Sequence, residues 1–335
     1  MLCSIIIINY NYAHFLNDAI KSALNQSYRN CEVIVVDDGS TDDSQTVIRK
    51  FGKNVTPVYK KNGGALSATN SGFKHSRGDL IFFLDADDFY DVNTVEEVVS
   101  AYKKGVSYLC WRLRQVNSTG EELGLFPLER EGPDSGCDAW RGILNRGAVN
   151  YPPTSSNAYC RVALEQIFPL PESTSVLWAD VHMFSTMPFL GEVIAMDKVL
   201  SNYRVHGNNH WFKEDLSGKQ KKIFGLNRKS PKQFQEGILK AKQKFDLLEA
   251  GRKAKKAEWG TQALERWLRL RWKQLYSIKC LPETHPFAED TMRSLSKEII
   301  GLSCQLGVLT FRLRFRLFLV CALPGKVMSI ILLKN

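Results

Sequence analysis

The sequence predicts an α/β domain on a mostly parallel sheet with flanking helices, followed by a basic, mainly helical C-terminal region. Three observations carry this reading. Strand and helix signals alternate through the first hundred residues, acidic residues gather where strands end, and the composition turns to Lys-rich helix formers after about Phe212.

Ser4–Ile8 is a near-continuous apolar run, as expected of a strand buried on both faces. Phe15, Leu16, Ala19, Ile20, Ala23 and Leu24 then share one helical face. Glu32–Val36 is a second strand ending in Asp37-Asp38-Gly39-Ser40, after which Thr41 or Asp42 can cap a helix to about Phe51. Val55–Tyr59 is a third strand, Leu66–His75 a helix and Leu80–Leu84 a fourth strand. Such alternation implies right-handed crossovers, with ligands bound beyond the carboxyl ends of the strands. Gly105–Pro171 has no regular pattern and reads as variable, the place to select a partner. Val181–Leu190 reads as a helix and Val193–Tyr203 as a closing strand.

The chain has 335 residues, 44% hydrophobic and 24% charged, within the ordinary globular range. Its net charge of +10 is unevenly placed. Residues 1–218 carry 20 Lys/Arg and 26 Asp/Glu, net −6, whereas residues 219–335 carry 25 and 9, net +16. Such asymmetry points to an anionic partner for the tail. The eight cysteines form no CxxC pair, so a reducing compartment is expected and a zinc site has little support. Met1–Tyr10 reads as a strand rather than a signal peptide, and no apolar run reaches the roughly 18–20 residues of a membrane span. The expected location is the cytoplasm, peripheral on the inner face of the cell membrane.

Two acidic clusters carry chemistry. Asp37-Asp38-Gly39-Ser40 reads either as a polar strand-to-helix turn or as a site. Asp85-Ala86-Asp87-Asp88 follows Phe82-Phe83-Leu84, and three crowded acids raise one another's pKa unless a cation compensates. Hard oxygen ligands suit Mg²⁺ or Mn²⁺, and such an ion can clamp a diphosphate. Asp180, at a helix start, reads as an N-cap or as a base. His206, beside Asn208 and Asn209, reads as a turn residue or as a ligand. His14, His75, His182 and His210 read as structural.

Four segments in order resemble family 2 glycosyltransferases, which have the Rossmann-like GT-A fold. They are Ile8-Asn9-Tyr10-Asn11; Val35-Val36-Asp37-Asp38-Gly39-Ser40-Thr41-Asp42; Asn62-Gly63-Gly64 with Ala68-Thr69-Asn70-Ser71-Gly72; and Arg77-Gly78-Asp79 leading into Phe83-Leu84-Asp85-Ala86-Asp87-Asp88. Trp178-Ala179-Asp180 and Tyr203-Arg204-Val205-His206-Gly207-Asn208-Asn209 extend the likeness to about residue 210.

The resemblance implies a catalytic domain over 1–212, with a nucleotide-sugar half to about 104 and an acceptor half from 105, and a separate basic region over 213–335. It implies donor-nucleotide contacts from Ile8, Asn9, Tyr10, Asn11, Asp37, Asp38, Asn62, Gly63, Gly64, Asn70, Asp85 and Ala86. It further implies Mg²⁺ or Mn²⁺ at Asp85, Asp87 and His206, with Asp87 the direct ligand, and Asp180 as general base. The implied reaction is inverting transfer from a nucleotide diphosphate-sugar, a UDP-sugar, to a glycan or glycolipid acceptor in cell-surface synthesis. Two positions depart from the family pattern: Ala179 stands where a glutamate is common, and Thr69 where an arginine is. Neither removes a residue the mechanism requires. Ala179 favours one alternative, a catalytically weak nucleotide-sugar-binding scaffold at the membrane.

A dehydrogenase is disfavoured because no GxGxxG follows the first strand. A nucleotidyltransferase would need a Gly-rich basic loop where Asn9-Tyr10-Asn11-Tyr12 stands. No nucleic-acid-binding motif is present, so no nucleic-acid partner is expected. Lys219–Lys222, Arg252–Lys256 and Arg266–Lys273 accompany Trp259, Trp267, Trp272 and Tyr276. They read as a helical hairpin packed on the catalytic domain, or as interfacial helices against an anionic membrane surface. Leu302–Leu333 is apolar around Arg312, Arg314 and Arg316 and breaks at Pro324-Gly325-Lys326. Within it Phe311–Leu317 alternates with period two, so helix and strand both stand.

Overall fold

A computed structural model describes residues 1–126, 135–148, 153–172, 177–206, 231–280 and 291–307. The expectations for Gly207–Asn209, Lys219–Lys222, Pro282–Pro286, the Tyr276 side chain and everything beyond 307 fall outside the described residues.

The first half follows the expected alternation: β1 (Cys3–Asn9), α1 (Ala13–Leu24), β2 (Cys31–Asp37), α2 (Ser44–Arg49), β3 (Thr56–Tyr59), α3 (Gly64–His75) and β4 (Leu80–Asp85). Then come β5 (Phe89–Tyr90), α4 (Thr94–Ala101), β6 (Val106–Val116), β7 (Glu122–Phe126), α5 (Ala139–Arg146), β8 (Asn157–Cys160), α6 (Arg161–Leu164), α7 (Ala179–Leu190) and β9 (Glu192–Arg204). Three helices follow: α8 (Pro231–Ala254), α9 (Thr261–Cys280) and α10 (Met292–Gln305).

Nine strands form one sheet in the order β3-β2-β1-β4-β8-β6-β9-β5, with β7 beside β6. β1, β2, β3 and β4 are mutually parallel, and β8 joins antiparallel to both β4 and β6. Because β6 and β9 are parallel to each other, six of the nine strands run in one direction. Their carboxyl ends therefore share an edge. Register places Asn9 beside Asp37 and Ile8 beside Asp85 on that edge. β3 is an outer strand, and its Thr56, Pro57 and Tyr59 are exposed.

Alternation along the strands builds two apolar layers. Ile5, Ile7, Val33, Val35, Phe82 and Leu84 face α1, α2 and α4, and Ile6, Ile34, Val36, Ile81 and Phe83 face α3 and α7. Burial on both faces is why β1 and β4 read as unbroken apolar runs. α3 lies very close to the sheet, since a Cβ on Gly72 would come within 2.3 Å of Ile6 Cγ2.

Two local expectations are corrected. Gly105–Pro171, read as irregular, holds the eleven-residue β6 as well as β7 and β8. Arg112 and Arg114 obscured β6 in the sequence, and Asp197, Asp91 and Glu122 pair with them where they leave the core. The α2 cap falls on Asp43 without a side-chain bond. Asp42 instead accepts from Ser44 N through one oxygen and from Ala13 N through the other, linking the starts of α2 and α1.

The chain divides into two compact units, Met1–Trp140 with Val149–Gly225, and Arg141–Ala148 with Leu226–Asn335. Within the second, Ile238, Phe245 and Leu270 are buried against Trp259 and Trp267, and Leu275, Leu295 and Ile299 form another small core. Among the described residues no helix is long and apolar enough to cross a membrane.

Candidate active site

The β1 and β2 ends are locked together before any ligand enters. Asn11 takes a positive φ of 59°, which asparagine tolerates, and its Oδ1 accepts from Thr41 N at 2.8 Å. Asn9 Nδ2 donates to Asp37 Oδ1 and Ser40 Oγ at 3.0 and 3.1 Å. Gly39 is fixed by its conformation (φ 75°) and by a neighbour, because a Cβ there would lie 2.6 Å from Asn62 N. Asp38 accepts from Gly63 N and Gly64 N at 3.0 and 2.8 Å and pairs with Lys60. The Asp-Asp turn thus anchors the Asn62-Gly63-Gly64 loop, and both amides that end the loop point at a carboxylate.

The β4 end is an acid cluster. Burial first, then the charges of Asp87 and Asp180, push Asp85 well above the usual carboxylate range. Asp88 is raised by burial and then by Asp87 and Asp85, although Ser155 Oγ donates to it at 2.5 Å and Arg204 N at 2.9 Å. Tyr12 is pushed up to about 12 by burial and by the same three aspartates. Burial and like-charged neighbours thus disfavour the ionised forms of Asp85 and Asp88.

Arg204 supports the loop. Its guanidinium donates to the carbonyls of Asp87 and Ser118 and to Asp18, and it lies over the Phe15 ring at 4.5 Å. Two residues on, His206 Nε2 is 3.0 Å from Asp87 Oδ2, with its ring against Tyr12 and Phe15. Asp180 lies in the first turn of α7, 7% exposed, and the cap is Trp178 rather than Asp180. Its Oδ1 accepts from Val181 N at 2.7 Å.

A cavity of about 370 Å³ opens over this edge, within the range of small-ligand sites. Ile8, Tyr10, Asp38, Asn62, Gly64, Asp85, Ala86, Asp87 and Asp180 line it, as does Thr69. The other expected residues are outside this lining. Asp37 and Asn9 are fully buried, Asn11 braces the turn, and Gly63 serves Asp38. Asn70 is turned to Leu170 and Glu172, and His206 reaches the cavity's acids through Asp87. Among the described residues no three His, Cys, Asp or Glu side chains are grouped to hold a metal by themselves. Sequence reasoning missed Tyr12, Thr154, Trp178 and Met183 in the lining and the Ser155–Asp88–Arg204 support. Arg204 was within a quoted segment, but its partner lies 116 residues away.

The family model for glycosyl transferase family 2 matches residues 4–147. An uncharacterized glycosyltransferase of Nostoc sp. is 35% identical over 217 residues, which are 63% of this chain and 67% of that protein. The chain belongs to glycosyl transferase family 2. An uncharacterized glycosyltransferase of Rickettsia prowazekii is 43% identical to this family 2 enzyme over 103 residues, 31% of the chain and 32% of that protein. The chain therefore spans about two thirds of one of these relatives and one third of the other. The chondroitin synthase of Escherichia coli is 37% identical over 112 residues, 32% of the chain and 16% of the synthase. Among solved structures, S. aureus TarS 1-349 in complex with UDP-GlcNAc superposes with a TM-score of 0.56 at 17% identity, covering 96% of this chain and 88% of that one. That likeness fixes the GT-A fold of this glycosyltransferase.

Proposed function

We propose that this family 2 glycosyltransferase moves a sugar, with inversion, from a nucleotide diphosphate-sugar to an acceptor hydroxyl, with Asp180 as general base. The observation that carries the reading is one cavity lined at once by Asp38, Asp85, Asp87 and Asp180. Asp38, Asn62 and Gly64, together in the lining, would contact the nucleoside, with Tyr10 exposed in the same lining. The Asp180 carboxylate takes the proton of the acceptor hydroxyl as its oxygen attacks the anomeric carbon and the nucleoside diphosphate leaves. A single displacement inverts that carbon.

Asp85 and Asp87 fit a divalent ion. They offer hard oxygens among buried, like-charged neighbours, and Mg²⁺ or Mn²⁺ would complete its shell with phosphate oxygens and water, so three protein ligands are not required. When bound, the ion would neutralise the departing diphosphate. His206 would orient Asp87, to which it is already bonded.

UDP-GlcNAc, bound in one TarS structure, sets the first donor to try, and UDP, bound in another, favours UDP-sugars in the panel. The chondroitin synthase relative favours a polysaccharide or glycolipid setting. The same reading treats residues 1–212 as the catalytic domain and 213–335 as a region that meets the inner face of the cell membrane. The test is release of nucleoside diphosphate from a donor panel, with and without acceptor and with EDTA. Acceptor-stimulated, chelator-sensitive release is expected. Turnover undiminished in EDTA removes the ion, and donor binding without turnover leaves only the scaffold reading.

A further inference from the structure

We propose that Cys3 and Cys31 form a reversible thiol–disulfide pair, oxidised by exchange with a small disulfide such as glutathione disulfide, which staples β1 to β2 at the edge of the sheet opposite the cavity. Neither cysteine takes part in the proposed sugar transfer, so this site stands apart from that reading.

Cys3 opens β1 and Cys31 opens β2, and the parallel register sets them directly beside each other. Neighbouring strands lie about 4.8 Å apart. A disulfide spans about 4.4–6.8 Å between Cα atoms, so the two positions are close enough to be bridged. Both side chains belong to the apolar layer under α1, α2 and α4, Cys3 within it and Cys31 packed against it. They therefore share one face of the sheet, as a bridge requires. Among the described residues no other two cysteines are strand partners: Cys110 stands beside Asn157 and Ala195, and Cys160 beside Leu80. A single buried cysteine is an ordinary small apolar residue. Two thiols set side by side are the reduced half of a redox couple.

The two thiols are unlike. Cys3 is fully buried, whereas Cys31 is half-buried. A hydrogen bond between the two sulfurs holds Cys31 below the usual thiol range, against the effect of its burial. The same bond, and then burial, pushes Cys3 up. Cys31 is thus the sulfur that reacts first, since the thiolate is the nucleophile. It attacks one sulfur of glutathione disulfide, a mixed disulfide forms, and the first glutathione leaves as thiolate and takes up the proton that Cys31 lost. Cys3 then attacks the Cys31 sulfur, and the second glutathione leaves with the proton that Cys3 gives up. Two protein thiols are oxidised, and one disulfide is reduced to two thiols. Excess reduced glutathione runs both steps backward. Further along the same register Asn9 stands beside Asp37, so the bond ties together the two strands whose far ends carry the Asp37-Asp38 turn.

The test incubates the folded full chain with glutathione disulfide, blocks the remaining thiols and maps tryptic peptides. Trypsin leaves Cys3 in the peptide 1–21 and Cys31 in the peptide 30–49. These two should be recovered joined, and should separate on reduction with dithiothreitol. The joined protein should unfold at a higher urea concentration than its dithiol form, because the closed loop also restricts the unfolded chain. Cys3→Ala should keep glutathione on Cys31, since nothing is left to displace it. Cys3 in Cys31→Ser should take up glutathione about tenfold more slowly than Cys31 does in Cys3→Ala, and equal rates would overturn Cys31 as the first sulfur. Wild type that keeps both thiols free, that retains glutathione on Cys31, or that forms the link only in urea overturns the pair. So does a joined form that unfolds no later than the dithiol. These last readings are made on wild type, so they decide the matter even where a variant fails to fold.

Discussion

Asp87 carries two claims at once, as the carboxylate of an under-compensated cluster and as the partner of His206. Asp87→Asn keeps the shape and a hydrogen-bonding oxygen for His206 but withdraws the charge. Turnover should fall about 10²–10³-fold, the kinetic equivalent of the several kcal/mol a metal ion supplies at a leaving group. The melting temperature of the metal-free protein should hold or rise, because Asp85 and Asp88 lose a like-charged neighbour. A lower melting temperature with unchanged turnover would make Asp87 a structural partner of His206 alone. Asp180→Asn separates differently. It retains the acceptor oxygen for Val181 N but cannot take a proton, so transfer should drop about 10²–10⁴-fold while donor affinity, read by calorimetry, is kept. Wild-type transfer by Asp180→Asn would place the base elsewhere.

At the scale of elements, the approach of α3 to β1 ties packing to the site. Gly72 leaves no room for a methyl group against Ile6, while the same helix supplies Ala65, Ala68 and Thr69 to the cavity. Gly72→Ala should cost about 1–3 kcal/mol in denaturant unfolding and weaken donor binding with it, since the helix must lift to admit the methyl. Intact stability would mean that the sheet yields instead. The elements also show what the chain reveals of itself. β1, β2 and β4 were readable because both their faces are buried, so apolar residues run unbroken over Ile5–Ile8, Val33–Val36 and Leu80–Leu84. β6 was not, because Arg112 and Arg114 sit on it, and their partners Asp197 and Asp91 are 85 and 23 positions away. The site divides in the same way. Asp38, Asp85 and Asp87 announce themselves by following buried strands, but Ser155 reads as one turn residue among several. Only the fold carries it across 67 residues to Asp88.

At the scale of the molecule, charge is divided unevenly along the chain. Residues 219–335 hold +16 against −6 in the rest. If that region meets an anionic surface, each engaged Lys or Arg contributes about 1 kcal/mol and the attraction weakens as salt rises. The full chain should co-sediment with phosphatidylserine vesicles at low salt, bind phosphatidylcholine vesicles less, and be released in part by salt. Indifference to both would return the tail to the role of a packing surface.

β3 closes one side of the sheet, and its second residue is a proline. Lys60 N donates to Asp37 O, so by alternation the Pro57 nitrogen faces away from β2, toward solvent, where it has no hydrogen to offer. An uncapped outer strand invites another chain to add itself, and a missing donor in a four-residue strand leaves little ladder to copy. Pro57→Thr restores that donor without touching the cavity. It should leave the melting temperature within a degree or two in dilute solution but bring concentration-dependent growth in light scattering on storage. Equal scattering from the two proteins would show that the shortness of β3, not its proline, keeps the molecule from joining its own copies edge to edge.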